Sequence, residues 1–253
     1  MNIEQLEKEL IGKSFVQKII YLDEVDSTNN YAKSLTDDNV LILAELQTQG
    51  RGRFDRVWSS EKGKNILLSI RKKFDTNENA DSWIMYSVCL SVYKTIEDVL
   101  HNSGKDDFEI TIKWPNDILL DGKKISGILI ETRDRINFVI GIGLNVNQKF
   151  FESSNLNATS FGYYSLNEIS RENIIINLII HLEKYFNETD KIKLFNEWKS
   201  KNFIIEKHVK VFIAGKYVDA VVKDILEDGA ILVSSNNKIF KYYSNKVPLQ
   251  IIN

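Results

Sequence analysis

Residues 50–58 read GRGRFDRVW, three arginines and two glycines within nine positions. Over the whole chain Lys+Arg (33) and Asp+Glu (35) nearly cancel, so this is a local concentration of positive charge. Glycines let a backbone bend sharply and approach a ligand, and arginine forks hold carboxylate or phosphate oxygens bidentately. Gly50, Arg51, Gly52 and Arg53 therefore point to a bound anion. A dinucleotide-binding turn needs a third glycine and a helix directly after a strand. Here that position is Asp55 and the residues beyond it look extended, so that reading is rejected; a solvated basic loop would account for the run equally well if it stood alone.

Three further clusters have chemical character. In KWPNDILLDGKKISGILIE, 113–131, Pro115 fixes a turn that leaves Asn116 and Asp117 at the start of the next strand. Lys124 precedes Gly127 in an otherwise apolar strand, which would hold its ammonium at a sheet end facing a pocket; taken singly, Lys123 and Lys124 read as solvated hairpin residues. DSTNN, 26–30, offers Ser27 or Thr28 as a helix N-cap. GIGLNVN, 141–147, places Gly141 and Gly143 inside a strand, where another backbone or a ligand must come close. Each signal is weak alone, and their order and spacing carry the inference.

The elements that position these clusters follow from periodicity. VLILAEL (40–46) and NILLSI (65–70) read as buried strands, separated by a polar loop from Gln47 to Lys64. Ile84, Val88, Val92, Ile96 and Val99 recur at helical spacing, so the stretch from Ser82 to Leu100 is expected to be a helix lying on a sheet. FEITIKW alternates as a strand does, Asp121-Gly122 signals a two-residue hairpin, and TRDR joins the next strand, INFVIGIGLNV. A helical pair is expected near 172–186 and 190–201, with Leu178, Leu182 and Phe186 as an apolar stripe. Beyond Phe203 the pattern changes to short alternating segments punctuated by turns, the grammar of a small β-barrel. The expected fold class is α/β (α+β): a mixed sheet backed by helices on one face over 1–203, then an SH3-like barrel over 204–253.

Composition narrows the function. A chain of 253 residues, 43% hydrophobic, is long enough to bury a sizeable core, and a formal charge of −2 gives no field for gathering nucleic acid or an anionic membrane. The single cysteine, Cys89, excludes an intramolecular disulfide framework and reads as a buried small apolar residue. His101, His181 and His208 lack metal-ligand spacing. With no apolar leader and no membrane-length apolar run, the expected location is the cytoplasm.

Taken in order, DSTNN, QTQGRGRFDRVW, KWPNDILL, KKISGILIE and GIGLNVN, followed by a small β domain, resemble the biotin–protein ligases, also called biotin–[acetyl-CoA-carboxylase] ligases. The resemblance runs from about residue 20 to the C-terminus. It implies activation of biotin by ATP to biotinyl-5′-adenylate, with Mg²⁺ accompanying the ATP, and transfer to a lysine of a biotin carboxyl carrier protein. By the same resemblance Lys124 contacts the biotin carboxylate and the α-phosphate, and Arg53 holds the adenylate. Ser27, Thr28, Asn29 and Gln47 bind the polar end of biotin with the Gly50–Arg53 run, and Gly127 leaves room for its ring. Trp58 stacks on adenine; Arg51, Asn116 and Asn145 contact the nucleotide; Asp117 orients or deprotonates the incoming amine. No residue run identifies metal ligands.

Two departures from the family pattern matter. Phe54 and Asp55 stand where the family loop often continues with arginine and glycine, so weaker retention of the adenylate is expected. Only residues 1–20 precede the catalytic motifs, so a self-contained DNA-binding repressor is not expected. Family members often pair through sheet edges, which puts a homodimer among the expectations. The competing readings are a lipoate–protein ligase, a biotin sensor without transfer activity, and a nucleic-acid module on the C-terminal barrel. Against the last, Tyr217, Phe240, Tyr242 and Tyr243 suit a core or interface better than a base-stacking platform.

Overall fold

The computed structural model describes residues 1–74, 80–151, 157–165, 167–213, 215–243 and 249–252, with Asp55 described by its backbone alone. Seven strands form one mixed sheet: β1 (Lys18–Leu22), β2 (Val40–Ala44), β3 (Ile66–Lys73), β7 (Asn137–Leu144), β6 (Lys123–Thr132), β5 (Asp117–Leu120) and β4 (Ile110–Lys113), in that spatial order. β1 and β2 are parallel; the other neighbouring pairs are antiparallel. β1 is absent from the sequence reading. Its pentapeptide KIIYL has little to distinguish it locally, and pairing with β2 makes it a strand.

The long helix α3 (Ala80–Asn102) packs with α1 (Ile3–Leu10), α4 (Arg171–Phe186) and α5 (Lys191–Ser200) into the main core. Of its expected stripe, Ile84, Val88, Val92 and Ile96 are fully enclosed and Val99 is partly buried against the core. One helix departs from the one-face arrangement. In β2 the alternate residues Leu41 and Leu43 enter the main core, while Val40 and Ile42 pack on the other side against Ala32, Tyr31 and Leu35 of α2 (Thr28–Ser34). Cover on both faces is why every residue of β2 is buried.

Asp121 (φ 49°) and Gly122 (φ 74°) both take left-handed backbone, as a tight hairpin between β5 and β6 requires. A second, antiparallel sheet follows in the order β11 (Lys238–Tyr242), β10 (Ile231–Ser235), β9 (Lys216–Ile225), β8 (His208–Ile213) and β12 (Gln250–Ile251), an SH3-like arrangement. It is tied to the first unit by hydrogen bonds from Trp114 Nε1 to the Gly229 carbonyl (3.0 Å), Tyr86 to that of Glu227 (3.0 Å) and Ser82 to that of Asp228 (2.9 Å). Trp114, from the KWPND corner, is thus an anchor for the second sheet.

Candidate active site

The α2 face of the sheet has a floor of small residues. Strand register sets Ser69 opposite Gly141, Gly141 opposite Leu129, and Gly143 opposite Gly127, which faces Asp117 on its other side. Alternation then aims all of them at the same face. The glycines are needed for what lies on them. A Cβ at Gly143 would strike the Trp58 indole, with Cζ2 at 2.6 Å, and one at Gly127 would stand 3.0 Å from Trp58 Cζ3 and 3.1 Å from Lys124 Nζ. A Cβ at Gly141 would collide with Asn29 Oδ1.

Above this floor stands the arginine loop, folded as a miniature hairpin. Trp58 N donates to the Gly50 carbonyl (2.9 Å), Gly52 N to that of Arg56 (2.6 Å), and Arg51 bridges Val57. A Cβ on Gly50 would meet the Trp58 carbonyl oxygen, so close backbone approach requires glycine there. The tip, Arg53–Asp55, is one short 3₁₀ turn, and its left-handed residue is Phe54 (φ 56°, ψ 43°). Aspartate would tolerate that conformation more readily than phenylalanine, but the chain places the aromatic there. The expected effect of the Asp55 carboxylate on adenylate retention falls on a side chain outside the described residues.

The hairpin lays charge beside the floor. Lys124 Nζ is 2.7 Å from Asp117 Oδ1 and 5.4 Å from the centroid of the Trp58 ring. The Arg53 guanidinium stacks 5.1 Å from the Phe54 ring. Burial pushes its pKa down, and the Asp117 carboxylate nearby works against that shift. Lys124, Asp117 and Trp58 thus meet as one cluster, and the Arg53 guanidinium lies near enough to feel the Asp117 carboxylate.

Arg51, one residue past Gly50, goes elsewhere. It donates to Asn30 Oδ1 (2.5 Å) and lies 3.9 Å from Glu131, away from its neighbour in sequence. Ser27 occupies the N-cap position of α2 but its side chain makes no capping hydrogen bond, so capping does not account for that residue. Gln47 Oε1 accepts from Thr28 N (2.8 Å) and Thr28 Oγ1 (3.0 Å), and Ser69 Oγ reaches Thr28 Oγ1 (2.8 Å) and Asn29 Oδ1 (2.6 Å). This is a polar patch at the α2 end of the floor, with Thr28, Asn29 and Ser69 buried and Gln47 half-buried. Asn116 and Asn145, expected as nucleotide contacts, use their NH₂ groups on backbone. Asn116 Nδ2 donates to the Ile128 carbonyl (2.6 Å) and Asn145 Nδ2 to that of Thr159 (3.0 Å), so both amides brace backbone.

Ser69 and Glu131 escaped the sequence reading. Ser69 had a faint signal, one hydroxyl inside the apolar run NILLSI; Glu131, at the end of GILIE, had none, because an acid at a strand end is ordinarily solvated.

The model of the Biotin/lipoate A/B protein ligase family matches residues 21–147, a span that contains the whole cluster from Ser27 to Asn145. The chain belongs to this family. Among its members the Bacillus subtilis bifunctional ligase/repressor BirA is 30% identical over 260 residues, covering 96% of this chain and 76% of that protein. The biotin–[acetyl-CoA-carboxylase] ligase of Mycobacterium tuberculosis is 29% identical over 198 residues, covering 77% of this chain and 73% of its own. The fold likewise matches a biotin protein ligase from Aquifex aeolicus solved with biotin and ATP, at a TM-score of 0.78 and 24% identity, over 93% of this chain and 100% of that one.

Proposed function

We propose that this family member is a biotin–protein ligase working in two steps. A biotin carboxylate oxygen attacks the α-phosphorus of ATP, and the bond to the β-phosphate breaks to release pyrophosphate. The ε-amine of an acceptor lysine then attacks the acyl carbon of biotinyl-5′-adenylate, the acyl–oxygen bond breaks, and AMP leaves with the electron pair. The carrying observation is the meeting of Lys124, Asp117 and Trp58 over a floor of glycines, with Arg53 close enough for the Asp117 carboxylate to act on its guanidinium.

The chemistry fits those groups. A carboxylate and a triphosphate repel each other, and Lys124 and Arg53 supply fixed positive charge for their approach and for the departing pyrophosphate. Trp58 offers adenine a flat partner once the nucleotide shares the floor. Asp117, already at Lys124, is placed to take the proton that the attacking amine loses. The adenylate is a mixed anhydride that water destroys, and the Gly50–Trp58 hairpin shields it. Arg51 reaches the nucleotide after leaving Asn30, and Asn116 and Asn145 act by bracing the strands beneath.

Biotin is favoured over lipoate by the polar patch of Thr28, Gln47, Ser69 and Asn29. A ureido ring can exchange hydrogen bonds with these groups, whereas a dithiolane offers them none in return for disturbing the bonds they make among themselves. The acceptor is a biotin carboxyl carrier protein, the kind of partner on which biotin–protein ligases act. Mg²⁺ arrives on the triphosphate, since this ion keeps several waters and takes few protein ligands. Pairing into a homodimer, residence in the cytoplasm and the division into 1–203 and 204–253 belong to the same proposal. Among the described residues no helix is long and apolar enough to cross a membrane.

The test is transfer of labelled biotin to a purified carrier domain. Label on the carrier that disappears with Lys124→Ala, together with indiscriminate labelling of bystander protein by Arg53→Gly, is the expected result. Biotin binding without any transfer by the wild type would leave a sensor instead.

A further inference from the structure

β2 ends at Ala44 and β3 begins at Ile66, paired antiparallel with Ala44 opposite Leu67, so residues 45–65 form one excursion that leaves and re-enters the sheet between neighbouring strands. The Gly50–Trp58 hairpin is its far end. The outgoing leg is bonded to the segment before α2: Thr48 N donates to the Val25 carbonyl (2.9 Å) and Gln49 N to that of Asp26 (2.8 Å). The returning leg is bonded to the segment after β7. There Glu61 N and Asn65 Nδ2 both donate to Gln148 Oε1 (3.1 and 2.5 Å), and the Lys64 carbonyl accepts from Asn147 N (2.9 Å). The two legs answer to different parts of the fold, and their spacing is set where they meet the sheet.

Arg171 sits at that point. Its guanidinium forks onto Glu45, Nη1 to Oε2 at 2.7 Å and Nη2 to Oε1 at 3.1 Å, and Nη1 also donates to the Asn65 carbonyl at 3.2 Å. Glu45 is the first residue of the outgoing leg and Asn65 the last of the returning one. A backbone bond from Gly63 N to the Glu45 carbonyl (3.1 Å) adds a second tie. The helix does not call for this arginine: it is the first residue of α4, the end at which a cation is disfavoured. Burial disfavours the charge on Glu45, but hydrogen bonds from Arg171 and Tyr21 hold its carboxyl down to about 2, so the pair is ionised at working pH.

We propose that Arg171 is a positioning residue: by bonding both feet of the excursion with one rigid fork it fixes the spacing of the legs, and so keeps the Gly50–Trp58 hairpin closed over the adenylate. This rests on the proposed biotin reaction. Set against two apolar side chains, a buried ion pair adds little stability, because desolvation takes back most of the attraction; what it adds here is a fixed geometry.

Arg171→Lys separates the clamp from the charge. An ammonium still neutralises Glu45 but, as a point charge on a flexible stem, does not grip a carboxylate and a carbonyl in one plane. The loss of one charge-assisted hydrogen bond predicts about a tenfold faster release of biotinyl-5′-adenylate. Labelled adenylate is formed on the enzyme from biotin and ATP without a carrier, unlabelled biotinyl-5′-adenylate is added in excess, and the loss of bound label is followed. Asp98→Asn is the control. Asp98 accepts from Asn177 Nδ2 (3.0 Å) and lies 2.8 Å from His181 Nε2, so it ties the same helix to α3 and not to the loop. It should lower the Tm and leave release within about twofold of the wild type, a difference that a merely structural role for Arg171 would not produce. Wild-type release by Arg171→Lys, or equal acceleration by Asp98→Asn, overturns the inference. If Arg171→Lys fails to fold, Glu45→Gln decides: its amide offers the fork one acceptor in place of two, and an unchanged release rate is equally fatal. Wild-type adenylate formation is measured first. Its absence removes the biotin reading and this inference with it, whereas adenylate that Arg171→Lys holds as tightly as the wild type removes this inference alone.

Discussion

Adding one methyl group at Gly143 should cripple ligand binding without unfolding the protein. An alanine Cβ there would stand 2.6 Å from Trp58 Cζ2 and 2.9 Å from its Nε1. Carbon atoms settle at about 3.5–4.0 Å, so the rigid indole must move by about 1 Å. The strand beneath is held by β3 and β6 on both sides, so the Gly50–Trp58 hairpin takes up the shift. Overpacking of this kind costs about 1–3 kcal/mol. Charged to binding, that is about a 5- to 150-fold rise in the biotin or adenylate Kd. The neighbouring glycines grade the effect. At Gly127 the nearest atoms are 3.0–3.1 Å away, and the flexible end of Lys124 is among them, so Gly127→Ala should be milder and should lower kcat as well. At Gly52 the nearest atom is 3.5 Å away and φ is −105°, so Gly52→Ala leaves the hairpin unstrained and should harm binding least of the three. Calorimetric biotin titration of the three variants, with Tm measured alongside, checks the order. Wild-type affinity in Gly143→Ala, or damage by Gly52→Ala equal to it, would refute the account of the floor.

Two further predictions concern stability and reactivity. Burial raises the pKa of Glu45, but hydrogen bonds from Arg171 (2.7 and 3.1 Å) and Tyr21 (2.7 Å) outweigh it and hold the carboxyl down to about 2 against an ordinary 4.5. Its folded pKa lies below the unfolded value, so its contribution of about 3 kcal/mol is whole above pH 4.5 and is lost as the pH falls toward 2. Melting curves from pH 6 to 3 should therefore fall less steeply in Glu45→Gln, and parallel curves would count against the assignment. Cys89 is fully enclosed and burial pushes its thiol up to about 12, so N-ethylmaleimide should label it only as fast as the chain unfolds. Rapid labelling of folded protein at neutral pH would contradict that.

How much was legible in advance differs from residue to residue. Lys124 pairs with Asp117, and Arg53 lies near enough to feel the same carboxylate, on motifs that carry their own turns. The placement of Arg51 was not legible in that way. Two residues before Arg53, it answers to Asn30 and Glu131, which only the packing of α2 against the sheet brings within reach. Asn116 and Asn145 have amides equally suited to a nucleotide or a carbonyl, and which backbone carbonyls take their NH₂ groups was set by the fold.

The sequence by itself determined the local devices: the glycine that lets Gly50 meet Trp58, the Asp121-Gly122 turn, the buried runs of β2 and β3, and the long stripe of α3. Each depends on residues a few positions apart, whose sterics and periodicity act before any fold exists. The tertiary structure decided which face became the site. Asn29 and Glu131 are 102 residues apart, and Ser69 and Thr28 are 41 apart. Strand register and the seating of α2 alone set such pairs within hydrogen-bond distance, and a one-residue slip would have turned Ser69 and the glycines into the main core.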